Sequence, residues 1–196
     1  MARLGVSNSL VQTVLKLTLP GMPDLYQGTE LWDLNLVDPD NRRPVDFALR
    51  QNALAKVTAA LARDRRGTIR DLVGAWPDGR IKLAVIATLL EYRGRHPELF
   101  AEGGYNQVMA ERAEGDRVCC FVRTDANVAI LVAVLRFPGA VKKSAEPLQG
   151  CVPVPFAPQT TRMRELLTGR AVPVEDGAVL IRELFSDLPV AVLVPV

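Results

Sequence analysis

Between Pro20 and Phe47 the chain reads PGMPDLYQGTELWDLNLVDPDNRRPVDF, and this one connection gathers an unusual set of polar groups. Tyr26 and Trp32 bring aromatic faces, Gln27 and Asn41 bring amides, and Glu30, Asp38 and Asp40 bring carboxylates. Arg42 and Arg43 add two guanidinium forks that match carboxylates in pairs of hydrogen bonds. A loop this rich in specific groups is either a binding loop or a structural knot. The knot reading has its own support, because Asp38-Pro39-Asp40-Asn41 is good turn chemistry and Asp–Arg pairs often only brace a long loop. Asp38 and Asp40 make a poor acid–nucleophile pair. Alternate residues of an extended segment point to opposite sides, whereas two catalytic carboxylates must flank one bond.

The elements that must position this loop are legible on either side. Leu10, Val11, Val14, Leu15 and Leu17 form a helical stripe, with capping oxygens expected from Ser7, Asn8 and Ser9. Pro20-Gly21 ends that helix, and MPDLYQG reads as a short strand. Asp46 is placed to cap a second helix whose apolar face is Phe47, Leu54, Val57 and Leu61. After the charged break ARDRRGTIRD, the apolar residues between Ile81 and Leu90 nearly surround the axis of a further, well-buried helix. IKLAVI alone fits a strand equally well; the length of the segment favours the helix. The first helix is expected to pack back on this one or to drive oligomerisation.

From Gly103-Gly104 the pattern changes to short valine-rich runs separated by turns: YNQVMAE, RVCCFVR, NVAILVAVLRF, a proline-rich crossing, RMRELL, RAVPV, AVLIREL and PVAVLVPV. This is the spacing of an antiparallel sheet or sandwich. Two domains are expected, residues 1–102 and 103–196. One strand, a long loop and a helix form a single unit of an alternating α/β structure, which cannot complete a barrel by itself.

Composition narrows the function classes. Among 196 residues, 24 are basic and 22 acidic, a net charge of +2 that gives no broad reason to expect nucleic acid or an anionic membrane. The arginines at 63, 65, 66 and 70 are interleaved with Asp64 and Asp71 and read as a solvated helix end. Cys119, Cys120 and Cys151 form no CxxC pair and point to a reduced, cytoplasmic setting. His96 is the single histidine, which disfavours a histidine triad or a multi-histidine metal site. No signal peptide or membrane span is expected.

The stretch LKLTLPGMPDLYQGTELWDLNLVDPDNRRPVDF closely resembles the end of the catalytic barrel in the maltooligosyltrehalose synthases, a branch of the α-amylase superfamily (glycoside hydrolase family 13). WPDGRIKL, PELFAEGGY, RVCCFVR, LLTGR and LFSDLPVAVLVP resemble later blocks of that family in the same order. The resemblance implies an α/β plus β architecture: the last strand, loop and helix of a (β/α)8 barrel, then a C-terminal antiparallel, sandwich-like β-domain. It implies an enzyme that moves the reducing-end α-1,4 linkage of a malto-oligosaccharide to α,α-1,1, with no cofactor or metal. The family's catalytic carboxylates lie on earlier barrel strands, so none is assigned here and the chain alone is expected to be inactive, with an upstream catalytic barrel chain as partner. Tyr26, Gln27, Glu30, Trp32, Asp38, Asp40, Asn41, Arg42 and Arg43 then become one wall of a sugar-binding cleft. The competing expectation is a non-catalytic carbohydrate-binding or assembly module.

Overall fold

The computed structural model describes residues 2–34, 42–111, 115–137, 148–157 and 159–196. Helix α1 (Ala2–Thr18) buries Leu10, Val14 and Leu17 on one stripe, as their spacing requires. Its start lies upstream of the expected caps. Ser7, Asn8 and Ser9 sit inside the helix, where Ser7 Oγ donates to Arg3 O (3.2 Å), so they cap nothing. The residues after Pro20 do not form the expected strand. Residues 22–26 run without a ladder and lead into a turn, because a lone strand has no neighbour here to pair with.

Helix α2 (Phe47–Arg63) starts where Asp46 accepts a hydrogen bond from Leu49 N (2.8 Å). Only the later half of its expected apolar face is covered: Val57 and Leu61 are buried, while Phe47 and Leu54 are exposed. The charged break is a single residue. Asp64 ends α2 and caps helix α3 (Arg65–Gly74), accepting from Gly67 N at 3.0 Å. A 3-10 turn (Trp76–Asp78) and left-handed Gly79 then open α4 (Arg80–Arg95), the helix expected from Ile81 to Leu90. The strand alternative for IKLAVI is not adopted. Short α5 (Pro97–Ala101) follows.

At Gly104 the strands begin: β1 (Gly104–Val108), β2 (Val118–Thr124), β3 (Ala129–Leu135), β4 (Cys151–Pro153), β5 (Arg162–Glu165), β6 (Ala171–Pro173), β7 (Ala178–Leu180) and β8 (Val190–Pro195). AVLIREL divides, β7 passing straight into a one-turn helix α6 (Ile181–Leu184). The main sheet is antiparallel throughout, in the order β1-β2-β3-β8-β5-β6, and β4 pairs with β7 separately. The hairpin between β2 and β3 turns on Asp125, whose Oδ1 accepts from Asn127 N and Val128 N, both at 2.7 Å.

The central strands are apolar on both faces, and their two sets of side chains enter two different cores. Phe121, Ile130, Val132, Val134, Val190 and Val192 meet α1 and α4 in one core. Cys120, Val122, Leu131, Ala133, Ala191 and Leu193 join Val152, Val179 and Ile181, from β4, β7 and α6, in the other. Cys119 and Cys120 therefore part to opposite faces, as adjacent strand residues must. Helices α1 to α5 thus cover one face of the main sheet, and the two-stranded ribbon with α6 lies on the other. Of the two alternatives for α1, packing back is the one built: α1 lies on α4, and Arg93 donates to Leu17 O at 2.9 Å.

A carboxylate near the C-terminus fastens α3 to the sheet. Asp187, almost fully buried, meets Arg66 (3.2 Å) and Arg70 (2.9 Å) from α3 and Arg170 (3.7 Å) from the start of β6. Burial alone pushes this carboxyl upward, but the hydrogen bonds from Arg70 and Arg66 outweigh it and hold the pKa below the usual value. A depressed folded-state pKa means stability present above the unfolded pKa of about 4 and lost as pH falls through the folded value. The Asp187→Asn variant is expected to lose about 1–3 kcal/mol at pH 7, the exposure of Arg66 and Arg70 limiting the figure. The gap between urea melts of the two proteins should narrow as pH falls below about 4; a gap unchanged by pH would contradict the ion-pair account.

Candidate functional site

The sequence-predicted loop is built around a type II turn. Thr29 N donates to Tyr26 O (3.1 Å), and Gly28, at φ 92°, occupies the position that requires a left-handed backbone. A side chain at Gly28 would also press on Val45, since a Cβ there stands 3.2 Å from its Cγ2. Gln27 and Tyr26 project from this turn, Tyr26 with 46% of its surface exposed.

The turn is held by a residue that sequence reasoning did not select. Arg50, one turn into α2, donates to Gly28 O (2.7 Å), to Glu30 Oε2 (3.0 Å) and to Asp46 O (3.2 Å). Its fork therefore joins the turn, the loop carboxylate and the α2 cap in one unit. Glu30 is oriented by Arg50, a role that sequence reasoning gave to Arg42 and Arg43. Those two arginines lie at the surface and have partners of their own. The only sequence signal for Arg50 was its place four residues after the capping Asp46.

Trp32 is an anchor. Its indole Nε1 donates to Trp76 O (2.6 Å), its ring is half-buried against the helical core, and Lys82 Nζ stands 6.0 Å from the ring centre. The receiving surface is the WPDGRIKL block. Asp78, just before the cap position, accepts from Arg80 N at the start of α4 (2.9 Å), and Gly79, at φ 78°, lets the loop backbone pass; a Cβ there would stand 2.8 Å from Trp32 N. Two segments singled out separately in the sequence, the polar loop and WPDGRIKL, are thus the two halves of one contact. Lys82 is pushed down in pKa mainly by burial, with Lys16 adding repulsion, while Asp33 and Glu30 oppose the shift.

Of the expected cleft residues, Tyr26 and Gln27 face outward together, while Glu30 and Trp32 face partners in the protein. Asp38, Asp40 and Asn41 lie outside the described residues. What the loop presents is a rigid edge with one aromatic face and one amide, which suits stacking on and hydrogen bonding to a polyhydroxyl ring. Among the described residues no group of three or more His, Cys, Asp or Glu side chains is arranged to hold a metal, and no helix is long and apolar enough to cross a membrane.

Comparisons with known proteins place this scaffold. No family model matches the chain. It is 38% identical over 188 residues to a putative maltooligosyl trehalose synthase of Mycobacterium tuberculosis, an alignment covering 96% of this chain and 20% of the relative. A solved maltooligosyltrehalose synthase variant from Arthrobacter ramosus superimposes with a TM-score of 0.73 at 36% identity, covering 98% of this chain and 22% of that one. A second maltooligosyl trehalose synthase structure gives 0.67 at 29% identity, over 99% of this chain and 22% of the other. An Anoxybacillus α-amylase shares the fold alone, at TM-score 0.56 and 22% identity over 96% of this chain and 32% of the amylase. The chain spans about a fifth of the length of the curated relatives it matches. It belongs to the maltooligosyltrehalose synthase family and corresponds to a C-terminal portion of its members.

Proposed function

We propose that this chain supplies the closing segment of a (β/α)8 catalytic barrel, residues 1–102, together with the C-terminal β-domain, residues 103–196, of a maltooligosyltrehalose synthase. The enzyme so completed rearranges the reducing-end α-1,4 linkage of a malto-oligosaccharide to α,α-1,1. The observation that carries this reading is the 38% identity along nearly the whole chain, matched to only a fifth of the relatives. In this arrangement residues 22–34 are the last barrel strand and its loop, and an upstream barrel chain provides the neighbouring strand that they lack.

The chemistry divides accordingly. A retaining rearrangement needs a carboxylate nucleophile and a protonated acid on either side of the anomeric carbon. Within this chain's loop the one described glutamate, Glu30, is committed to Arg50. In this reading the catalytic carboxylates come from earlier strands of the upstream barrel, as the family resemblance implies. This loop's part is to hold the sugar: Tyr26 stacks on a glucose ring, Gln27 bonds its hydroxyls, and the Arg50–Glu30 unit keeps both in register. Gripping the released glucose so that it, rather than water, attacks is the task such a wall performs. Asp38, Asp40, Asn41, Arg42 and Arg43 complete the wall, while Trp32 anchors it.

The test is loss of reducing ends from maltopentaose, with this chain alone and after addition of a polypeptide carrying the rest of the barrel. No turnover alone and turnover in the mixture is the expected result. Turnover by the 196-residue chain alone would overturn the assignment and make Glu30, Asp38 and Asp40 the first residues to replace. The exposed Tyr26 also supports a narrower reading, a carbohydrate-binding module without catalysis. It predicts maltopentaose binding that is lost in Tyr26→Ala, with no turnover in the mixture.

A further inference from the structure

A polar hollow of about 170 Å3 lies between α3, α4 and β5, lined by Arg65, Thr88, Tyr92, Arg95, His96 and Arg164. Its positive charge comes from three separate elements. Arg95 belongs to the last turn of α4, where cations offset the helix dipole, and it pairs with Glu91 one turn earlier; both are more than half exposed, so the pair is weak. Asp125, from the β2–β3 hairpin, is close enough to His96 to be affected by its charge. Those groups account for part of the local balance. They leave Arg65 and Arg164 over.

Neither of these two arginines has a carboxylate partner among the described residues. Arg65 is fixed in place all the same. Its stem lies against Gly169, where a Cβ would stand 3.2 Å from Arg65 Cδ, and Nη1 makes only long contacts to Leu166 O (3.4 Å) and Thr88 Oγ1 (3.5 Å). Its remaining N–H groups are available. Arg164 stands on β5, held by ladder pairing to Ala171 and Val194, and its guanidinium makes no hydrogen bond among the described residues. Tyr92 keeps its proton, because burial pushes its hydroxyl up to about 12. It and Thr88 therefore present neutral hydroxyls beside the two unspent cations. Glu91 is the one carboxylate in the lining.

We infer that this hollow binds a phosphate group, either as the free ion or as a monoester, through Arg65 and Arg164 with Thr88 and Tyr92 completing its hydrogen bonds. Planar guanidinium forks match the oxygens of a tetrahedral oxyanion, and arginine is the residue enriched where that geometry is read. The inference is independent of the carbohydrate reading. It concerns other residues and survives if that reading fails.

Sodium phosphate titrated into the 196-residue chain, with chloride holding ionic strength constant, should give saturable amide shifts confined to the neighbourhood of Arg65 and to residues 88–96 and 164–169. Arg164→Gln, a surface change, should weaken binding roughly tenfold, the loss of one charged hydrogen bond; Arg65→Gln should do the same. If one variant fails to fold, the other carries the test. Glucose 1-phosphate separates the two sources: tighter binding than inorganic phosphate identifies a monoester, and equal binding identifies the free ion. Shifts that never saturate, that spread over the surface arginines, or that survive Arg164→Gln in full would overturn the proposal.

Discussion

Replacing Arg123 by methionine is expected to lower the unfolding free energy by about 3–5 kcal/mol, a large share of the stability of an ordinary domain. Arg123 is 1% exposed, on the helix-facing side of β2. It donates to Gly104 O (3.1 Å), Thr18 O (3.1 Å), Leu99 O (2.9 Å), Gly103 O (3.0 Å) and, more weakly, Phe100 O (3.4 Å). Most of these carbonyls belong to helix ends, the last residue of α1 and the turn through α5, which have no acceptor duty within their own helices. Burial pulls the guanidinium's pKa down, and neighbouring Arg93 adds repulsion. What holds the cation in place is this ring of oxygens and the face of Phe100, whose centre is 5.9 Å away.

Methionine fills similar volume but leaves the five carbonyls without their donor, and that penalty sets the estimate. Lysine keeps the charge yet offers three donors from one point, so Arg123→Lys should lose a smaller amount, about 1–2 kcal/mol. Urea unfolding of both variants checks the ordering. A methionine variant within 1 kcal/mol of the parent would show that the helix ends are held by packing alone.

The second large effect is expected at Glu165, where Glu165→Gln should cost about 2–3 kcal/mol although the two side chains have the same shape. Glu165 is 3% exposed at the end of β5. Oε1 accepts from Leu167 N (3.1 Å) and Val192 N (3.3 Å), and Oε2 accepts from Thr168 N (2.7 Å) and the Thr168 hydroxyl (2.5 Å). Burial pushes this carboxyl upward in pKa, while the hydrogen bonds from Thr168, Leu167 and Val192 pull the other way. An amide has one acceptor and one donor end. Whichever oxygen becomes NH2 then faces a backbone N–H: the Thr168 hydroxyl can rotate to accept, but Thr168 N cannot. Thr168 N is left unsatisfied in one orientation, and Leu167 N and Val192 N in the other. A measured cost below 0.5 kcal/mol would mean that the turn re-forms around the amide.

Both residues were invisible as structural centres in the sequence, for the same reason. RVCCFVR identifies β2, and its closing arginine looks like the polar end of a strand. Its partners lie up to 105 residues away, and no local pattern records them. Asp187 meets Arg66 across 121 residues, and Arg50 meets Glu30 across 20. Local errors had local causes. The run ARDRRGTIRD looks like a break because charge dominates it, yet Ile69 and Leu72 give α3 two buried contacts and Asp64 caps it. The strand expected at MPDLYQG failed because a strand is defined by its neighbour.

What the sequence settled by itself were the features whose physics is short-ranged. Short valine-rich runs separated by turns located all the strands of the main sheet, though β4 lies in the stretch read only as a proline-rich crossing; the unbroken apolar surface from Ile81 to Leu90 located α4, and Asp46 located the start of α2. The polar loop and the WPDGRIKL block were also legible as chemistry, since residue types are read directly. Only the tertiary structure decided that these two segments face one another, that Trp32 is an anchor while Tyr26 is presented, and that Arg50 rather than Arg42 or Arg43 orients Glu30. Periodicity is carried by neighbouring residues, whereas the pairing of one charge with one distant carbonyl is set by how whole layers pack.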